Sequence, residues 1–172
     1  MRKLLDYLDY VSKAIGAFAA LLTMSIAVVI IAEILARSVF NYSFSFAWEY
    51  SAYAMGVAMF CGAAFTLRTG GHIRVSLLAS ALSPRHALWL DILCTIIGLF
   101  FAGFITFALG QLAWTSLVSG STAPTVAATP LIIPQGLIAF GALLLALQFL
   151  ARLVRIFIGQ EPEDNSVSYQ VD

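Results

Sequence analysis

Four long apolar stretches dominate this sequence, and each is long enough to cross a lipid bilayer as a helix. A bilayer core needs about 20 apolar residues in helical form. The chain of 172 residues is 61% hydrophobic and only 10% charged, whereas a soluble domain is about half apolar and about a quarter charged. The sequence therefore predicts an all-α integral membrane protein with four transmembrane helices. We place these spans at about residues 14–36, 46–67, 84–118 and 130–158.

Two of the spans need an argument of their own. The first apolar run is longer than the roughly 7–15 residues of a signal-peptide core and has no clear cleavage site after it, so we interpret it as a retained span. The third begins at Ser83 and Pro84, residue types that are typical of a helix N-cap and of the first helical position. It would be about 50 Å long, so we expect it to tilt or to project from the membrane.

The distribution of lysine and arginine predicts the orientation of the spans. Eight of the nine lie in the N-terminal segment, the second connection or the C-terminal flank, which all fall on one side of the membrane. These are Arg2, Lys3, Lys13, Arg68, Arg74, Arg85, Arg152 and Arg155, whereas Arg37 is on the other side. By the positive-inside rule, both termini should be cytoplasmic.

Two further segments have the pattern of amphipathic helices that lie in the headgroup layer. They are residues 3–13, with Leu4, Leu5, Leu8 and Val11 on one face, and residues 72–83, which follow a Gly-Gly pair. Residues 1–158 would then form one membrane domain. Residues 159–172 are acidic and polar, and we predict a disordered cytoplasmic tail.

Few charged residues lie within or beside the spans, and such residues are the usual pointers to function in membrane proteins. Glu33 precedes Arg37 by four residues, the favourable order for an ion pair on a helix. It is either half of a pair at the membrane edge or a proton or cation site.

Glu49 opens the second span, where the helix dipole favours a carboxylate, with Ser45 as a candidate N-cap. Trp48 suits the aromatic belt at the headgroups.

Small residues recur at helical spacing in two of the spans. Ala54, Ala58 and Gly62 follow one another every four residues, as do Gly98 and Ala102. This spacing allows helix backbones to approach closely. With so few polar sites, the pattern favours a protein that works through its surfaces.

Several function classes are disfavoured. Zero net charge argues against a nucleic-acid partner. Cys61 and Cys94 lie inside apolar runs without CxxC spacing, so we expect no zinc site, disulfide or redox pair. Both histidines, His72 and His86, lie in the second connection, so no haem can be held between spans. No nucleophile is paired with a base at depth. We therefore expect no enzyme activity, no cofactor and no metal.

Several short motifs flank the first two spans. They are Arg37 and Phe40-Asn41 at the end of the first, Trp48-Glu49 at the start of the second, then Arg68 and His72-Ile73-Arg74-Val75. The chain resembles the small membrane subunit, the Q subunit, of tripartite ATP-independent periplasmic (TRAP) transporters. The resemblance lies in the order and spacing of these motifs, and in the four spans, the cytoplasmic termini and the proline-bearing outer connection. The resemblance covers nearly the whole chain apart from the acidic tail. It departs from the family at Tyr50 and Ser76, where the family often has an acid.

The resemblance implies a role in the bacterial inner membrane. In such transporters a periplasmic binding protein captures an organic anion, typically a carboxylate, and docks transiently. A large membrane subunit then moves it across by an elevator motion coupled to sodium. The small subunit would be a scaffold for the large one. Candidate contacts with these partners, or anchors at the membrane edge, are Arg37, Asn41, Trp48, Glu49, Arg68 and His72.

Two other interpretations stay open. The chain could be a self-sufficient small four-span transporter that uses Glu33 as its coupling carboxylate. It could instead be an assembly or lipid-organising protein without a transport role.

Overall fold

The computed structural model describes residues 2–70 and 83–162. Within these residues the chain forms four helices and no strand: α1 (Arg2–Phe40), α2 (Ala47–Arg68), α3 (Pro84–Ser119) and α4 (Ile132–Phe157). All four are long and apolar enough to cross a membrane, which confirms the predicted all-α membrane fold. The predicted interfacial helix over 72–83, including His72, lies outside the described residues except for Ser83, as do residues 163–172 of the predicted tail.

Helix α1 differs from the expected arrangement of an in-plane segment followed by a separate span. Residues 3–13 continue without a break into the apolar run, and the whole forms one helix of 39 residues. No glycine or proline precedes Gly16, so nothing in the local sequence interrupts the backbone hydrogen bonds. At 1.5 Å per residue the helix is about 58 Å long and exceeds the bilayer core. The position of its first turns in the headgroup layer stays a prediction.

The helices pack in the order α1, α2, α4, α3. Helix α1 packs along α2, α2 also packs along α4, and α4 also packs along α3, whereas α1 meets α4 over a short stretch only. Among the described residues, α3 touches no helix other than α4. The helices therefore form a layer one helix thick, and α3 lies at one edge of it.

Small side chains bring the helices of this layer close together. A Cβ atom on Gly141 of α4 would lie 2.8 Å from the backbone nitrogen of Cys61 in α2. Gly98 of α3 leaves no room for a Cβ beside the ring of Phe149. Such close approach is how helices pack where lipid supplies no hydrophobic driving force between them. The core between α1 and α2 is correspondingly small, and Ala19, Val57 and Cys61 form its buried centre.

Most of the apolar surface remains exposed on the helices. Phe100, Phe104 and Phe107 of α3 are between 62% and 69% exposed, which a protein surrounded by water could not tolerate over such an area. Exposed tryptophans mark two levels of α3, Trp89 and Trp114. They are about 38 Å apart along the helix axis, which matches the distance between the two headgroup belts of a bilayer.

The start of α3 is only partly as expected. The helix begins at Pro84 as predicted, and Ser83 has the extended backbone of an N-cap. Its hydroxyl, however, lies 2.8 Å from the Nδ1 atom of His86 rather than on a backbone amide. The other predicted cap, Ser45, is wrong, because α2 begins at Ala47 and its N-cap residue is Phe46, without a capping side chain.

Candidate functional site

Charged and polar side chains gather at the two ends of the helix layer. We call the end that carries Glu49 and Thr125 the Glu49 end. The opposite end, which carries Asp9, Arg68, Arg152 and Arg155, is the Asp9 end.

Glu33 ties the end of α1 to the connection that follows it. Its Oε1 atom accepts hydrogen bonds from Arg37 Nη2 at 2.6 Å and from Ser43 Oγ at 2.7 Å. Its Oε2 atom accepts the backbone N–H of Phe44 at 2.6 Å. The predicted pair with Arg37 is therefore present, and Glu33 itself is only 3% exposed. Both carboxylate oxygens are occupied by donors from this chain.

Asn41 reverses the chain at the end of α1. Its φ angle is +51°, in the left-handed region that asparagine tolerates better than most residues. The next amide, that of Tyr42, donates to the carbonyl oxygen of Ala36 at 3.3 Å. Asn41 therefore has a conformational role, and its side chain is exposed.

Glu49 joins the first turn of α2 to the third connection. Its Oε2 atom accepts the hydroxyl of Thr125, and its Oε1 atom accepts the hydroxyl of Tyr53 at 3.1 Å. A second hydroxyl contact, from Thr129 to Tyr50 at 3.3 Å, runs beside it. The carboxylate therefore ties the start of α2 to the third connection. Its neighbour Trp48 is 68% exposed, as expected of a belt residue.

Backbone hydrogen bonds within the third connection, which joins α3 to α4, fix its conformation. The amide of Ala123 donates to Thr129 O at 2.9 Å, and the amide of Leu131 donates to Ser121 O at 3.0 Å. A bridge between Thr122 and Pro130 closes this short hairpin. The threonines that meet Glu49 and Tyr50 are thus held in fixed positions.

At the Asp9 end, two arginines share one carboxylate. Arg68 Nε donates to Asp9 Oδ2 at 2.8 Å, and Arg155 Nη2 donates to Asp9 Oδ1 at 2.6 Å. Asp9 belongs to α1, Arg68 to α2 and Arg155 to α4, so one aspartate links three helices. The sequence indicated Arg68 as an anchor but gave no sign of its partner.

Gln148 strengthens the same contact from inside the layer. Its Nε2 atom lies 2.7 Å from Ser12 Oγ and 3.3 Å from the carbonyl oxygen of Leu8, both on α1. Gln148 and Ser12 are each only 1% exposed. This contact fixes the first turns of α1 against α4.

A second ion pair at the Asp9 end joins α4 to α3. Arg152 Nη2 donates to both carboxylate oxygens of Asp91, at 2.9 and 3.1 Å. Arg152 Nε lies 3.3 Å from the hydroxyl of Thr95. Sequence reasoning noted both charges but did not pair them, although the rarity of charge inside apolar helices was the available signal.

A groove of about 670 Å³ opens between α1 and α2 near the Glu49 end. Its walls are mostly apolar, and its hydroxyl groups belong to Ser25, Tyr50 and Ser51. None of the residues that line it is charged. Elsewhere within residues 2–70 and 83–162, no group of three or more His, Cys, Asp or Glu side chains is placed to hold a metal ion.

The four apolar helices and the polar ties between their ends define a multi-pass membrane protein. A family model described as "Tripartite ATP-independent periplasmic transporters, DctQ component" matches residues 26–159. The chain therefore belongs to the DctQ component family of TRAP transporters, a family of transporter components rather than of enzymes. Comparison with curated proteins and with solved structures gave no match.

Proposed function

We propose that this chain is the small scaffold subunit of a TRAP-type secondary transporter. It would support a large elevator-type membrane subunit during sodium-coupled, binding-protein-dependent uptake of an organic anion, a carboxylate by resemblance. One observation carries the proposal. The acids Asp9, Glu33 and Asp91 are each engaged in holding helices or connections of this same chain together.

A scaffold needs a rigid wall and a surface for its partner. The ties at the Asp9 end supply rigidity, because they join α1 to α2 and α4, and α4 to α3. The exposed apolar faces of the layer supply area. A large membrane subunit would cover part of this area, and the bilayer would cover the rest.

Among the candidate residues, those with exposed side chains would make the contacts with partners. Arg37, Asn41 and Trp48 are exposed at the Glu49 end, so we assign them to contact with the large subunit, the docked binding protein or lipid headgroups. Glu49 and Arg68 are engaged internally and would act by fixing the shape of the surface. His72 stays a candidate anchor from sequence alone.

The proposed location is the bacterial inner membrane, with both termini in the cytoplasm, on the strength of the arginine and lysine distribution. Fusing alkaline phosphatase or green fluorescent protein to the C-terminus tests this orientation. We expect fluorescence and no phosphatase activity. Active phosphatase at the C-terminus would contradict it.

The competing interpretation is a small transporter that uses Glu33 as a coupling carboxylate. Such a group must gain and lose a proton or cation during transport, and therefore needs free oxygen positions. Both oxygens of Glu33 already accept hydrogen bonds, three in all. This favours a structural role for Glu33, and we assign the chain neither a coupling site nor a catalytic one.

Reconstitution into liposomes tests the scaffold proposal. The chain alone should not move an organic anion along a sodium gradient, whereas the chain with the large membrane subunit and the binding protein should. Transport by the chain alone would refute the proposal.

The variant E33Q separates the two interpretations in the complete system. A coupling role predicts abolished transport with intact assembly, whereas a scaffold role predicts a modest change that follows the loss of stability. The matched variant E49Q, which also neutralises a glutamate that ties a connection, should behave similarly under the scaffold interpretation.

A further inference from the structure

The Asp9 end holds more guanidinium donors than its shared carboxylate accepts, and the proposed scaffold role does not explain this. Two guanidinium groups, those of Arg68 and Arg155, share the single carboxylate of Asp9. The side chain of Arg155 is only 3% exposed and that of Arg68 is 17% exposed. Asp6 lies one helical turn before Asp9 and acts electrostatically on Arg155, but its side chain is exposed. The two guanidinium groups therefore share Asp9 as their hydrogen-bonded carboxylate.

Two guanidinium nitrogens of this site are unpaired. The Nη1 atoms of Arg68 and Arg155 are both buried, and within residues 2–70 and 83–162 neither has a hydrogen-bond acceptor. Buried polar atoms are nearly always paired, so each such exception calls for an explanation. Two such donors, on guanidinium groups that share one carboxylate, can be satisfied by the oxygens of a further anion.

The other ion pair at the same end provides the contrast. Arg152 meets Asp91 with one guanidinium for one carboxylate, and both carboxylate oxygens are engaged. Charge is balanced there, so that pair needs no further anion. The site formed by Asp9, Arg68 and Arg155 differs, because its guanidinium donors outnumber the carboxylate oxygens that accept from them.

The position of the site decides which anion it meets. Arg68 is the last residue of α2, and Arg155 lies in the last turn of α4. Trp89, an exposed belt tryptophan, lies one half-turn before Asp91 at the same end. The site is therefore at the level of the lipid headgroups. The partial exposure of Arg68 and of Asp9, 25% exposed, leaves an approach from the surface.

We propose that Arg68 and Arg155 bind a phosphate group, supplied by the headgroup of a phospholipid. A phosphate offers several anionic oxygens, and the planar guanidinium fork matches them with paired N–H donors. The acyl chains of the lipid would lie along the apolar helix surface. This site is independent of any transport role, so it can be tested whether or not the scaffold function holds.

Thermal unfolding of the purified full-length chain in detergent tests the site. Three probes are added separately: phosphatidylglycerol, diacylglycerol with the same acyl chains, and inorganic phosphate. We expect phosphatidylglycerol to raise the melting temperature at concentrations about tenfold lower than diacylglycerol. Equal protection by inorganic phosphate would support the same site with free phosphate as its source.

The variant R68Q removes one of the two guanidinium groups and should weaken the effect of phosphatidylglycerol about tenfold. The matched control R85Q removes an exposed charge from the start of α3 and should change it by less than about twofold. If R68Q fails to fold, R68K replaces it: it keeps the charge but lacks the planar fork, and should also bind more weakly.

Three results would overturn the proposal. They are equal protection by phosphatidylglycerol and diacylglycerol, equal effects of R68Q and R85Q, and a dependence on Arg68 that appears only when the large membrane subunit is present. The last result would assign the free donors to a carboxylate of that partner instead.

Discussion

At the scale of single residues, Glu33 shows how one buried carboxylate can order a whole connection. It receives a guanidinium, a hydroxyl and a backbone amide. Hydrogen bonds to a charged acceptor are stronger than those between neutral groups. The turn after α1 is therefore fixed by a residue that precedes it by almost three helical turns.

Replacing Glu33 by glutamine should lower the melting temperature of the purified chain. We expect a drop roughly two to three times that of R37Q, because E33Q weakens all three hydrogen bonds and R37Q removes only one. Thermal unfolding followed by tryptophan fluorescence measures both. Equal drops for the two variants would show that Ser43 and Phe44 contribute nothing to the role of Glu33.

The pair of Arg152 and Asp91 permits a quantitative test of a buried ion pair. D91N should reduce the free energy of unfolding by about 2–4 kcal/mol, because it leaves the guanidinium of Arg152, which is only 3% exposed, without this carboxylate. R152Q should cost less, since the carboxylate of Asp91 is 30% exposed and can reach water. In a double-mutant cycle we expect a coupling of about 1–3 kcal/mol.

The control for this cycle is R85Q, which changes an exposed arginine at the start of the same helix as Asp91. It should alter the free energy of unfolding by less than about 0.5 kcal/mol. Additive effects of D91N and R152Q would contradict the contact between them.

At the scale of the helices, glycine positions decide which surfaces can meet. Gly141 brings α4 onto the backbone of α2, and a Cβ there would lie 2.8 Å from Cys61 N and 2.9 Å from Phe60 C. Backbone atoms cannot move aside as a flexible side chain can. The α2–α4 contact therefore depends on the absence of a side chain at this position.

The variant G141A should destabilise the chain by about 1–3 kcal/mol, because α2 and α4 must separate to admit the methyl group. The matched variant G103A places the same methyl group in α3, where nothing lies within 4 Å. It should be neutral or slightly stabilising, since alanine is the better helix former. Thermal unfolding compares the two, and an equal cost would contradict the close packing at Gly141.

At the scale of the whole molecule, the order α1, α2, α4, α3 separates α1 from α3. A thin layer of this kind has two broad faces and two edge helices. It gives a large contact area to lipid and to a membrane partner for a chain of 172 residues. This shape suits the proposed scaffold role.

Disulfide crosslinking tests the helix order. A Cβ atom on Gly62 would lie 3.6 Å from the Cβ of Ala19, which is within the range that disulfides span. With Cys61 and Cys94 replaced by alanine, A19C/G62C should crosslink on mild oxidation. The pair A19C/G103C should not, because α1 and α3 make no contact. Crosslinking of the second pair within monomers would refute the order.

Sequence alone determined the membrane class and the number of helices, because hydropathy over about 20 residues is a local property. It also determined the pair of Glu33 and Arg37, since residues four apart lie on one face of any helix. It did not show the continuity of α1, whose first turns resemble an independent interfacial helix. Contacts of Leu8, Asp9 and Ser12 with α2 and α4 fix those turns to the rest of the chain.

Only the tertiary structure decided which polar groups from distant parts of the chain meet. Asp9 and Arg155 are 146 residues apart, and Glu49 and Thr125 are 76 apart. No periodicity links such positions. They come together because glycine and alanine let particular helix faces approach, and the packing of those faces sets which charges are adjacent. The sequence thus determines that the helices lie in lipid, whereas the packing of the helices determines which of their few charged residues pair with one another.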